Sequence, residues 1–218
     1  MDARPARLYW AVGRVDTAAR EYRAALAAFP GYPYAFAGLA QTEAARGRLG
    51  PAIALERRAV DAIPLPQFVS ELGDLYAAAG RQAEARRQYA LVRVIERLLI
   101  ANGVRTDLET ALFEADHRLH RGQVVALARR ARAARPSIDG DDTLAWALAR
   151  TGRCAEARPW SQRALRLGTK DALKLFHRGM IERCLGRTDD GDAYLRRALA
   201  LNRHFSTLWA PVARRALR

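Results

Sequence analysis

Few residues of this 218-residue chain could do chemistry by type and spacing. Glu114, Asp116, His117 and His120 form the densest group of potential metal ligands. His117 and His120 stand three apart, which would put both on one helix face, as ligation of one ion requires. No second ligand pair follows at a telling spacing, and the run 119–122 (LHRG) reads equally well as a polar helix end. Cys154 and Cys184 stand well apart in the chain, with no CxxC pairing and no His–Asp arrangement beside either. They read as buried, reduced thiols rather than a disulfide framework. A phosphate-binding loop, a dinucleotide glycine turn, an HExxH helix and a GxSxG elbow are all missing. The expectation is a chain that is not an enzyme, with no catalytic residues, no metal site and no cofactor.

The elements that would position any site are better marked. Within 67–96, QFVSELGDLYAAAGRQAEARRQYALVRVIE, the residues Val69, Leu72-Gly73, Tyr76, Ala85 and Tyr89 fall at helix–turn–helix spacings, with Gly80 in the turn. Small residues at Gly73 and Ala85 let two helices touch backbone to backbone, and larger ones fill the remaining groove. One period back, with Gly80 falling on Gly47 and Ala85 on Ala52, stand Phe36, Leu39-Ala40, Gly47, Ala52, Ala59 and Pro64. A further period back gives Gly13, Ala18, Tyr22, Ala25 and Pro30. Downstream, Leu144-Ala145, Gly152, Ala157 and Ala164 recur one period later as Gly179, Gly186, Gly191 and Ala198, with Arg178 in the Leu place.

This pattern resembles the tetratricopeptide repeat: a bulky residue, Leu-Gly, Tyr, Ala, an aromatic and often a closing Pro. One such pair cannot bury its apolar face alone, so pairs stack. The resemblance implies an all-α, right-handed α-solenoid of about six helix-turn-helix pairs plus a C-terminal capping helix, forming a single domain over 1–218. The repeats fall at approximately 1–32, 33–65, 66–103, 104–136, 137–169 and 170–203, with the capping helix at 204–218. The second helix of the third pair overruns its period and should end at Asn102-Gly103, a glycine-type cap. Asp107 is the expected N-cap of the fourth pair. That pair keeps mainly Ala131 and Pro136 of the pattern. The fifth pair should start at Asp142 and the sixth at Lys170. In the closing segment Phe205, Leu208 and Trp209 should cover the last pair. The abrupt start of the first helix suggests a poorly closed terminal repeat, or a module cut from a longer array.

In the family this chain resembles, partners usually lie along the concave face, which is lined by first helices. Helical spacing places Tyr34, Gln41 and Asp74 there, then Glu109, Phe113, Asp116, Asp142 and Trp146, then Phe176 and Met180. Such an acidic and aromatic lining would suit a protein or peptide segment carrying Arg or Lys with apolar anchors. The bland alternative is that the aromatics are partly core and the acids are ordinary helix N-terminal charges. The chaperone-clamping subtype is set aside, because its Lys and Asn places hold small, acidic or aromatic residues here.

The formal charge is +14, almost all of it from arginine. Arg57, Arg58, Arg129, Arg130, Arg163, Arg196 and Arg197 recur on second helices as a convex ridge. Such a ridge could track a nucleic-acid backbone in a salt-sensitive way. Exposed aromatics interleaved with the arginines, which would help single-strand stacking, are not expected on that face. An Arg-rich, Lys-poor chain is also what a GC-rich genome tends to encode. No apolar signal segment is visible, and the longest apolar stretch, 98–101, is far short of a membrane span. The combined expectation is a bacterial, cytoplasmic scaffold that binds another protein, with possible self-association through the first repeat. The alternative is a nucleic-acid-binding array.

Overall fold

The computed structural model describes residues 4–218. Among these it contains thirteen α-helices and no strand. They are α1 (Arg4–Ala11), α2 (Val15–Ala28), α3 (Pro33–Ala45), α4 (Leu49–Ala62), α5 (Pro66–Ala78), α6 (Gln82–Ala101), α7 (Asp107–Asp116), α8 (Val124–Ala134), α9 (Ile138–Arg150), α10 (Cys154–Ala164), α11 (Ala172–Cys184), α12 (Thr188–Leu201) and α13 (Ala210–Ala216). The chain packs as two compact units. The first runs through Gly103 and adds Asn202–Pro211; the second holds Val104–Leu201 and Val212–Arg218. In the first unit α1/α2, α3/α4 and α5/α6 pack as pairs; in the second, α7/α8, α9/α10 and α11/α12 do.

One turn recurs between the helices of a pair. Gly13, Gly47, Gly80, Gly152 and Gly186 all sit at φ between 73° and 84°, a left-handed conformation that only glycine adopts cheaply. Each is followed by an arginine. The N–H of Arg14, Arg48, Arg81, Arg153 and Arg187 donates to the carbonyl five places back, on Tyr9, Glu43, Tyr76, Leu148 and Glu182, at 2.8–3.0 Å. Those bonds satisfy carbonyls that the helix ends would otherwise orphan. The turn after α7 lacks this glycine. There Arg118 (φ 55°) and His120 (φ 40°) take up the left-handed conformation instead, which is why the fourth pair is faint in the sequence.

Close approach of the helices follows from the small residues. A Cβ on Gly73 would lie 2.4 Å from the Tyr89 ring, and one on Gly179 would lie 2.9 Å from the Gly191 carbonyl oxygen. Ala52, Ala85 and Ala157 are wholly buried. Helix α6 runs 20 residues against 14 for α2 and α4, and ends at Asn102 with Gly103 at φ 76°.

Several boundaries differ from the sequence reading. Thr106, not Asp107, occupies the cap position of α7, and its side chain makes no cap hydrogen bond. Helix α9 begins at Ile138, because the Ser137 hydroxyl accepts from the Gly140 N–H at 3.0 Å. Helix α11 begins at Ala172, where the Asp171 carboxylate accepts from the N–H groups of Leu173 (2.9 Å) and Lys174 (3.2 Å). The C-terminal helix is confined to Ala210–Ala216, and the segment before it packs in the first unit. There the Asn202 amide donates to the Trp10 carbonyl at 2.7 Å and the Thr207 hydroxyl to Glu71 Oε1 at 2.6 Å.

The cysteines are not free thiols. Cys154 and Cys184 form a disulfide with Cα atoms 6.2 Å apart. Cys154 opens α10 and Cys184 closes α11, so a helix out and a helix back bring them to the same end of an antiparallel pair. The 30-residue spacing matches that path, which the absence of a CxxC motif could not show.

Candidate functional site

The groove residues expected from sequence separate into two kinds. In the second unit, Trp146 and Phe176 are buried core, and Phe113 is nearly so. The indole of Trp146 stacks on His177 at 4.2 Å and its N–H donates to Asp116 at 2.7 Å. Asp142 is also buried, with Oδ2 2.9 Å from Nδ1 of the fully buried His177. Glu109 stays exposed and pairs with Arg135 at 3.3 Å, and Met180 is half-buried. Periodicity could not separate these cases, because first helices are enclosed on most sides. On α9 every residue from 140 to 148 is buried. Glu114 and His120, part of the group considered as metal ligands, lie together, with the His120 Nδ1 2.7 Å from Glu114 Oε1. Burial and the nearby Arg150 charge hold His117 down to about 4, as a neutral imidazole.

In the first unit, Tyr34 is exposed and Gln41 and Asp74 are half-buried. Asp74 accepts from the Tyr89 hydroxyl at 2.8 Å. Tyr34 and Gln41 line a cavity of about 270 Å³, together with Arg7, Tyr22, Phe68, Glu71 and, deepest, Glu56. The sequence reading named neither glutamate. The available signal was a broken repeat place: four positions after Ala18, Ala52 and Ala85 stand Tyr22, Glu56 and Tyr89. Glu56 is fully buried, and among the described residues neither of its carboxyl oxygens has a hydrogen-bond partner. Desolvation, helped by the Glu71 charge, pushes its carboxyl up to about 9.

Arginine chemistry is largely internal. In four of the five glycine turns the following guanidinium folds back on the residue whose carbonyl its own N–H already holds. Arg14 covers the Tyr9 ring at 5.0 Å and Arg81 the Tyr76 ring at 4.6 Å. Where that place is glutamate, the contact is ionic: Arg48–Glu43 at 2.5 Å and Arg187–Glu182 at 3.2 Å. The residues of the expected ridge are all exposed. Several nonetheless have partners: Arg58 lies 3.9 Å over Phe36, Arg129 is 3.4 Å from Glu156, and Arg163 is 3.7 Å from Asp141. The aromatics that stand among these arginines are not exposed ones. Half-buried Trp160 lies beneath Arg132 and Arg163, and Tyr194 beneath Arg178 and Arg197.

No helix among the described residues is long and apolar enough to cross a membrane. No curated protein matches the chain by sequence. Among solved structures, a tetratricopeptide repeat protein from Parabacteroides merdae ATCC 43184 superposes with a TM-score of 0.60 at 14% identity, covering 99% of this chain and 81% of that one. PilW, a type IV pilus biogenesis factor, superposes at 0.51 with 19% identity, covering 96% of each chain. At these identities the likeness is one of fold. Residues 5–65 match the tetratricopeptide repeat family model. That match spans the first two helix pairs; over the rest of the described residues, what the chain shares with tetratricopeptide repeat proteins is the fold of stacked helix pairs.

Proposed function

We propose that the protein is a non-enzymatic adaptor that binds another protein segment along the first-helix surface of its first unit. The carrying observation is the open cavity lined by Tyr34 and Gln41, where an exposed aromatic and a buried acid line the same space. Tetratricopeptide folds mediate protein–protein interaction, and the repeat stack supplies a rigid platform for it. Glu109 and Met180 remain candidate contacts in the second unit. The buried Asp142, Trp146, Phe113 and Phe176 belong to the core of that unit instead.

The disulfide bears on where this happens. The cytoplasmic expectation rested on reduced thiols, whereas structural disulfides persist in oxidising compartments. The bridge therefore favours an oxidising compartment as the place of work. Alkylation of the thiols in freshly lysed native cells, followed by a gel-shift reagent, distinguishes the two.

A photo-crosslinking residue placed at Tyr34 and, separately, at Arg57 tests the surface. The adaptor reading expects one discrete protein adduct from position 34 and none from position 57. Adducts from position 57 alone, sensitive to nuclease, would move the assignment to the arginine ridge, where Trp160 and Tyr194 could stack bases.

A further inference from the structure

Two equivalent places in successive repeats of the first unit are built in opposite ways. Tyr22 on α2 lies over Gly38 on α3 so tightly that a Cβ there would be 2.1 Å from the ring. One repeat later, the places of Tyr22 and Gly38 are taken by Glu56 on α4 and Glu71 on α5. A ring packed on a glycine has been replaced by two carboxyl groups, and the cavity of about 270 Å³ is lined by both places, Tyr22 with Gly38 and Glu56 with Glu71. Glu71 takes a hydrogen bond from Thr207 at 2.6 Å, while Glu56 has no partner among the described residues. Burying an acid without a partner costs stability that a tyrosine at this place would have contributed. A carboxyl held at that cost inside a cavity marks a place for a ligand.

We propose that this cavity binds the guanidinium group of an arginine side chain on a partner protein, between the carboxyls of Glu56 and Glu71. The planar fork of a guanidinium suits two neighbouring carboxylates, and Tyr34 at the cavity wall offers a ring for the same cation. The inference rests on the adaptor reading and deepens it by naming the side chain its surface selects.

Binding draws a proton from Glu56, so its pH dependence is part of the claim. The charged and titratable groups facing the cavity are Arg7 from α1, Tyr22 from α2, Tyr34 from α3 and Glu71 from α5. Arg7 acts on Tyr22, and the neighbouring charge acting on Glu56 is that of Glu71. Affinity for a cation therefore rises with pH, by up to about tenfold per unit below the Glu56 pKa.

The probe is N-acetylarginine amide, titrated calorimetrically into the whole chain at pH 6.5 and pH 8.5. N-acetylcitrulline amide serves as the uncharged match and N-acetyllysine amide as the unforked cation. The expected result is saturable arginine binding, tighter at the higher pH, weaker for lysine and absent for citrulline. Glu56→Gln should abolish it without loss of helicity. The double change Glu56→Tyr with Glu71→Gly, which restores the packing seen one repeat earlier, should fold and not bind. No saturable binding at pH 8.5, equal binding of citrulline, or unchanged binding by folded Glu56→Gln would overturn the proposal. Binding of the probe with no adduct from position 34 would leave the site standing and remove the adaptor reading. An adduct without probe binding would do the reverse.

Discussion

Arg187 holds Glu182 twice: its backbone N–H donates to the Glu182 carbonyl at 3.0 Å, and its guanidinium lies 3.2 Å from the carboxylate. The same carboxylate, almost wholly buried, also takes Arg158 at 3.0 Å and the buried Arg178. Glu182→Gln should therefore destabilise the protein by about 3–5 kcal/mol, because Arg178 would remain buried without its counter-charge. Arg187→Ala removes only an exposed partner, screened by solvent, and should cost far less. Urea denaturation of the two variants checks the contrast.

Glycines divide by what surrounds them. Gly73→Ala drives a methyl into the Tyr89 ring and should lose about 1–3 kcal/mol. Gly50→Ala, in α4 with open space around it, should gain up to about 1 kcal/mol. Thermal melts of both would show shifts of opposite sign.

Reduction of the Cys154–Cys184 bridge releases a 30-residue loop constraint from the unfolded chain. The expected loss is about 3–4 kcal/mol, with the fold retained. Melting curves of the reduced protein and of the Cys154→Ala/Cys184→Ala pair should agree with each other and lie below that of the oxidised protein. A reductant effect that persists in the double variant would show that the bridge is not its source.

Glu56 makes stability fall as pH rises. Its carboxyl is raised from 4.5 to about 9 in the folded state, so the folded chain keeps a proton that the unfolded chain has lost. Stability should decline between those values, by up to about 1.4 kcal/mol per pH unit, and level off above the upper one. His117 gives the opposite limb: lowered from 6.5 to about 4, it withdraws stability as pH falls through that window. Glu56→Gln should reduce the alkaline limb and leave the acid one unchanged, as read from urea midpoints at pH 6 and pH 8.5; Glu71, which burial also raises, supplies part of what remains.

Much of the fold was legible because the period was written in glycine and alanine, whose places are dictated by turn dihedrals and backbone contact. Gly47, Gly80, Ala52 and Ala85 could hardly be anything larger. The site was less legible. A helix enclosed by neighbours on several sides shows the same helical spacing for a groove wall as for an interhelical seam, so Trp146 and Tyr34 looked alike. Glu56 was visible only as a departure from the pattern at the aromatic place, a signal that needs the repeat frame before it can be read. The disulfide could not be inferred from spacing alone, since pairing depends on which helix ends meet.

The turn between α7 and α8 has a consequence for how the second unit comes apart. With Arg118 and His120 both held at positive φ, this connection stores strain of about 1–2 kcal/mol per residue that the glycine turns avoid. Within a run of stacked pairs, cooperativity breaks at the weakest joint. Among the helix-pair turns of the second unit, residues 117–123 should therefore exchange their amide protons first and be the first cut by a protease acting on the native protein.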